Sequence, residues 1–314
     1  MTTGAPPPAV LAVGYGLTLA ACARWPLGVY VLTLAGFGLA HVLWEFRVVA
    51  ARYGPVAGAV LRQQVGLLLL AVMGARAAQV LGWVPGGTRQ SVELGLLIAL
   101  VLAPLPLLWR FRARRSAAVG IGAALLLAGG AAAAPAGTLL FLAVAHNLTP
   151  VGLLADAAPA GRRASTLALA GAAFLAGPLL VASGLPGALL GVDPAASPLP
   201  AGPLAAHLGA YFPAAWHAAP WASNAFAGVV FAQCLHYAAV LHLLPAAVGD
   251  RPPPRFVVPA VLAGLALFAA FWADFAQARQ VYGIAAAAHA WVELPALLLA
   301  LGGLTPARAP APAG

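Results

Sequence analysis

From Gln64 to Trp83 the chain carries a single ionisable residue, Arg76, and stretches of the same character recur along most of its 314 residues. A bilayer core holds no water to satisfy backbone N–H and C=O groups, so an apolar stretch of about 20 residues must cross it as a helix. Hydrophobic residues make up 63% of the sequence and charged residues 7%, where a soluble domain carries about 25% charged residues. The sequence therefore predicts an all-α, polytopic membrane bundle forming a single transmembrane domain over residues 1–304. About ten spans fit the length criterion: Val10–Ala23, Leu27–Ala50, Gln64–Trp83, Val92–Trp109, Ala117–Ala134, Gly137–Leu154, Ala164–Leu190, Trp221–Leu244, Phe256–Arg279 and Tyr282–Leu304.

The formal charge of +9 comes from sixteen Arg and no Lys against seven acids. In a membrane chain such residues report orientation, because basic residues collect on cytoplasmic loops. Arg47, Arg52 and Arg62, then Arg110, Arg112, Arg114 and Arg115, then Arg162 and Arg163, then Arg251 and Arg255, and finally Arg308 fall on alternate loops. The other loops hold Arg24, Arg89 and Arg279. Both termini are thus expected in the cytoplasm of a cell, with an inner-membrane location of the bacterial kind. The linker 191–220 is expected outside and the Pro- and Ala-rich tail 305–314 disordered. No basic domain with interleaved aromatics is present, which excludes nucleic acid as a partner. The bilayer and a lipophilic small molecule are the expected partners.

At the amino end, Leu19-Ala20-Ala21-Cys22 resembles a lipoprotein processing box. Met1–Pro8 has no basic residue, so the first helix is expected to be retained. Cys22 and Cys234 fall in different spans, and neither has a CxxC partner; no disulfide framework or thiolate site is expected.

Within the spans, His41-Val42-Leu43-Trp44-Glu45 and His289-Ala290-Trp291-Val292-Glu293 each put a histidine and a glutamate four apart, on one helix face. An ionisable group at the bilayer centre costs on the order of 3 kcal/mol, so it persists where it is paired, wetted or bound. At 1.5 Å per residue, His146 and Glu293 fall near their span centres, His41 about 4 Å and His236 about 5 Å inward, and His289 about 6 Å outward. Glu45 lies one turn further in than His41. Residues from four helices share one slab. His242, six residues from His236, points about 120° away and is set aside as a cytoplasmic-side or supporting residue. Gln233 and Tyr237 flank the His236 face at one turn's spacing.

Several polar residues stand outside that slab. Arg76, Glu93 and Asp274 are expected to pair with one another across helices, since a lone arginine in the membrane is costly. His207 and His217 read as solvated loop histidines, and Trp216 and Trp221 as interfacial anchors.

Neutral imidazoles with a few carboxylates suit iron, zinc or copper. The expected ligands are His41, His146, His236 and His289 with Glu45 and Glu293; the two glutamates and Tyr237 are the expected proton carriers. Iron is preferred because a buried His/Glu site in lipid meets apolar substrates and oxygen, and haem held by two facing histidines is its variant. The competing reading is a proton-coupled transporter using the same residues as a relay, with Pro178 or Gly184-Leu185-Pro186 breaking the seventh span. The layout of His41 with Glu45, His146, His236 and His289 with Glu293 resembles the bacterial Brp/Blh-type membrane carotene dioxygenases, helical proteins whose intramembrane histidines hold iron. That resemblance lies in the pattern of His and acid over several spans; the family's Pro-His-Gly opening and its His-x-x-x-His helix have no counterpart here. It implies an iron-dependent oxygenase acting on a lipid-soluble substrate.

Overall fold

A computed structural model describes residues 7–249 and 252–304; the tail 305–314, Arg251 and Arg308 lie outside them. The described residues are all-helical, without a strand. In chain order the helices are α1 (Pro8–Arg24), α2 (Pro26–Val80), α3 (Gly86–Leu102), α4 (Leu105–Arg110), α5 (Arg115–Ala133), α6 (Pro135–Ala145), α7 (Thr149–Ala157), α8 (Arg163–Ala182), α9 (Leu185–Leu190), α10 (Ala205–Leu208), α11 (Ala222–Ala238), α12 (Leu244–Val248), α13 (Pro254–Ala273) and α14 (Phe275–Leu301). Among the described residues, eight helical stretches are long and apolar enough to cross a membrane, and Ala9–Arg24 is a shorter apolar helix. By length and composition this is a multi-pass membrane protein. One of the eight, α2, runs 55 residues but breaks at Gly58, where φ is +69°. A β-carbon disfavours that conformation, and Pro55 just before it has no N–H to continue the ladder.

Several expected boundaries shift for local reasons. The expected seventh span ends at Gly184, whose φ of +76° separates α8 from α9, while Pro178 stays inside α8. The expected ninth span ends at Asp274, not Arg279: Asp274 is extended, closes α13 and accepts the Gln277 amide at 3.0 Å. A short carboxylate that satisfies a free N–H in the first turn is a helix N-terminus signal, and Asp274 is exposed. It is a cap, not the buried membrane charge expected from the sequence.

The described chain gathers into two compact units. The first comprises Met1–Glu45 and Ala136–Ala286. Its core forms where α8 crosses α11, with Phe226 and Phe231 fully buried. The helices approach closely because of small residues, the usual route to helix association in lipid. A β-carbon at Gly228 would stand 2.6 Å from the Pro178 carbonyl oxygen and 2.8 Å from Ala182 Cβ. On α1, Tyr15 meets Phe231 edge-on at 5.1 Å and donates to the Ala173 carbonyl at 2.8 Å.

The second unit comprises Phe46–Pro135 and Ala287–Gly314, with α3 and α4 packed on α5. Here Arg76 Nε lies 2.7 Å from Glu93 Oε1 and Arg76 Nη2 3.3 Å from Oε2. This two-pronged pair bears out the expected ion pair for these two residues, without Asp274. In both units large apolar side chains such as Leu126, Leu169 and Leu189 stand exposed, as a hydrocarbon solvent permits.

Candidate metal centre

Four histidines sit at or beside the middle of their helical stretches. His146 is midway along Pro135–Ala157, His236 beside the midpoint of Ala222–Val248, and His289 beside that of Phe275–Leu301. His41 stands midway between Pro26 and the break at Gly58.

Two of these positions interrupt the helix. His146 opens a single 3-10 turn, His146–Leu148, between α6 and α7. Pro150 follows in the first turn of α7, so its missing N–H leaves the carbonyl of His146 without an α-helical donor. The Thr149 hydroxyl donates to that carbonyl at 2.7 Å. The Asn147 amide folds back onto the carbonyls of Ala143 and Val144 at 3.4 and 3.3 Å. Just past His236 and Tyr237, a π-turn spans Ala239–Leu243, with Pro245 beyond it. Such turns are frequent at functional sites.

In the first unit, His41, Glu45, His146 and His236 each turn one ligand atom inward, and these atoms lie within 4.8 Å of one another. Ligands at 2.0 to 2.2 Å from one ion stand roughly 3 to 4 Å apart, so a shift of under about 1 Å closes the set around a metal. His236 Nε2 is 3.5 Å from Glu45 Oε2, with both side chains fully buried. The His236 ring centroid is 4.4 Å from that of His146 and 5.5 Å from that of His41. His41 Nδ1 faces the Phe37 carbonyl at 3.4 Å; a proton on Nδ1 satisfies that carbonyl and leaves Nε2 as the ligand atom, the usual device for orienting a metal-bound histidine. This group can hold a metal ion.

Tyr237 stacks on His41 with centroids 3.9 Å apart, and its hydroxyl accepts the Gln233 amide at 3.2 Å. The sequence placed Gln233 and Tyr237 on either side of His236; in the structure they bond each other, and Tyr237 reaches His41. Tyr282 was missed. It lies against Gly38, where an added β-carbon would be 3.2 Å from the ring. Its spacing of seven residues from His289 and eleven from Glu293 puts all three on one face of α14, a signal the sequence carried.

His289 and Glu293 belong to the second unit, and both are buried. His242 is exposed within the π-turn, in keeping with its exclusion. Cys22 and Cys234 are free thiols. Trp216 and Trp221 are about half exposed, with ring centroids 5.6 Å apart. Of the two loop histidines, His207 departs from the expected solvated state. His207 is buried, and His217, half-buried, bonds the Phe212 carbonyl at 3.1 Å.

The fold and the group define a class: a multi-pass, all-α membrane protein with a buried His/Glu cluster able to bind a metal. No protein-family model, curated protein or solved structure matches the chain.

Proposed function

We propose that the chain is an integral-membrane metal protein whose His/Glu centre serves an oxidoreductase reaction, of the oxygenase kind, on a lipid-soluble substrate. The observation that carries this reading is the convergence of His41, Glu45, His146 and His236 within 4.8 Å at mid-span. Three imidazoles and a carboxylate are a nitrogen-rich, thiolate-free set suited to iron, and zinc and copper accept it too. When bound, iron would supply oxygen chemistry. The chain's own residues do the rest: the imidazoles hold and orient the ion, and Glu45 binds it or carries a proton. Tyr237, against His41, presents a hydroxyl beside the ligand set.

The helical spacing in the sequence is the ground for counting His289 as a fourth imidazole and Glu293 as a further carboxylate; both are buried in the second unit. Carotenoid cleavage, the chemistry of the Brp/Blh-type proteins, is the substrate proposal that follows from the shared layout.

Elemental analysis of protein purified without chelator tests this. About one or two equivalents of iron in the wild type, lost in His236→Ala, support the reading; a wild type free of iron, zinc and copper overturns it. An absorption spectrum separates haem from ligated iron at once. The row Tyr211–Gln233–Tyr237, hydrogen-bonded at 3.2 Å per link, favours proton-coupled transport as the second reading. Uptake by proteoliposomes under a pH gradient, abolished by Glu293→Gln, would select it.

A further inference from the structure

Outside the spans one histidine is as buried as the proposed ligands. His207, in the long loop before α11, is 1% exposed. Its ring lies between Tyr30 of α2, at 5.4 Å, and Phe275 of α14, at 5.6 Å. Both nitrogens are engaged: Nε2 is 2.9 Å from the Ala201 carbonyl and Nδ1 is 3.0 Å from Arg279 Nη1. A carbonyl only accepts and a guanidinium only donates. The ring must therefore carry its proton on Nε2 and a lone pair on Nδ1, which fixes it as the neutral imidazole.

A second proton can go only to Nδ1, where it would face the Arg279 N–H and set two cations at hydrogen-bond distance. Among the described residues, the groups facing His207 offer no compensating negative charge: α14 presents Arg279, α2 presents the neutral phenol of Tyr30, and the loop presents the Ala201 carbonyl. Burial holds the imidazole below the ordinary histidine range; the Ala201 carbonyl opposes this, and the Arg279 charge adds to it.

Beneath this contact runs a row of polar groups. Arg279 lies over the Tyr30 ring at 5.9 Å, Tyr30 meets Tyr211 edge-on at 6.5 Å, and Tyr211 donates to Gln233, which donates to Tyr237 against His41. The loop segment from Ala201 to Tyr211 forms one end of the row.

We propose that the His207–Arg279 contact is a latch: it holds this loop over the polar row while His207 is neutral and releases it when the ring takes a second proton. The latch stands on the loop geometry alone and does not depend on a metal at the histidine group. The folded pKa is depressed, so the closed form keeps its full stability above the unfolded value of about 6.5 and loses it as pH falls from that value through the lower folded one.

The test is hydrogen exchange by mass spectrometry on the full chain in lipid nanodiscs, followed over peptides covering residues 199–212 and corrected for the intrinsic pH dependence of exchange. Between about pH 7.5 and pH 5 the wild-type loop should lose protection by about tenfold or more, while α8 and α11 keep theirs. In His207→Gln, which offers an acceptor and a donor but cannot titrate, protection should stay the same across the range. A wild-type loop indifferent to pH, or a variant that loosens in acid as the wild type does, overturns the latch. Should the variant fold poorly, nitrogen-15 histidine spectra of the wild type decide. His207 protonated on Nε2 alone at neutral pH, and titrating together with loop exchange, supports the proposal; an Nδ1-protonated ring, or titration with no change in the loop, sinks it.

Discussion

Glu45 Oε2 stands 3.5 Å from His236 Nε2, and neither side chain has any exposed surface. α2 and α11 thus bring two ionisable groups into a fully buried contact. Removing one partner of such a pair strands the other, and that is the costly change; replacing both with apolar groups costs far less. Glu45→Ala should therefore lower bound metal by at least about tenfold and destabilise the protein by about 3 kcal/mol, both more than Glu45→Gln does. Metal content and thermal unfolding in detergent are the two measurements; equal effects of Ala and Gln would show that the carboxylate is not used.

Gln233 and Tyr237 share a buried hydrogen bond, one link of the row from Tyr211, that a double-mutant cycle can weigh. Gln233→Leu and Tyr237→Phe should couple by about 0.6 kcal/mol, the usual size for polar pairs between or within membrane helices. Additive losses in denaturant unfolding would mean the bond contributes nothing.

Arg76 and Glu93 make the corresponding pair in the second unit. Glu93→Leu alone leaves a guanidinium in hydrocarbon, at a cost of about 2.5–3.5 kcal/mol on insertion scales. Arg76→Leu with Glu93→Leu should restore most of that stability, and the amount of folded protein recovered from membranes reports the difference. A double variant as poorly recovered as Glu93→Leu would assign the pair a role other than mutual neutralisation.

Gly228 sets the distance between α8 and α11. Its β-carbon position is 2.6 Å from a backbone oxygen, and backbone cannot move aside as a side chain tip can. Gly228→Val should push the helices apart and abolish folding of the first unit, with Gly228→Ala intermediate; size-exclusion profiles of the purified variants distinguish the three. A valine variant with a wild-type profile would show that the crossing tolerates a wider spacing.

The spans were legible because hydrocarbon imposes a length and a composition on them, and the histidines at mid-span followed from counting along those spans. Asp274 was misread because an apolar run over Phe256–Arg279 hides a boundary that a single capping carboxylate creates. His207 was misread because the Pro- and Ala-rich loop around it has no periodicity, and its burial comes from Tyr30 and Phe275, far away in sequence. Tyr282 lay in plain view of helical spacing, yet a phenol lacks the charge that drew notice to His289. The breaks at His146 and Gly184 each had a Pro or Gly marker, but such residues also occur unbroken inside helices, as Pro178 does in α8.

The π-turn at Ala239–Leu243 sets rotational phase. The wider turn absorbs one surplus residue; wound as ordinary α-helix with nothing deleted, the same segment would turn everything before it by about 100° relative to α12. His236 and Tyr237 would then swing off the side they share with His41, with no ligand mutated. The angular alignment of the cluster thus depends on one surplus backbone unit a few residues away, as much as on the imidazoles themselves.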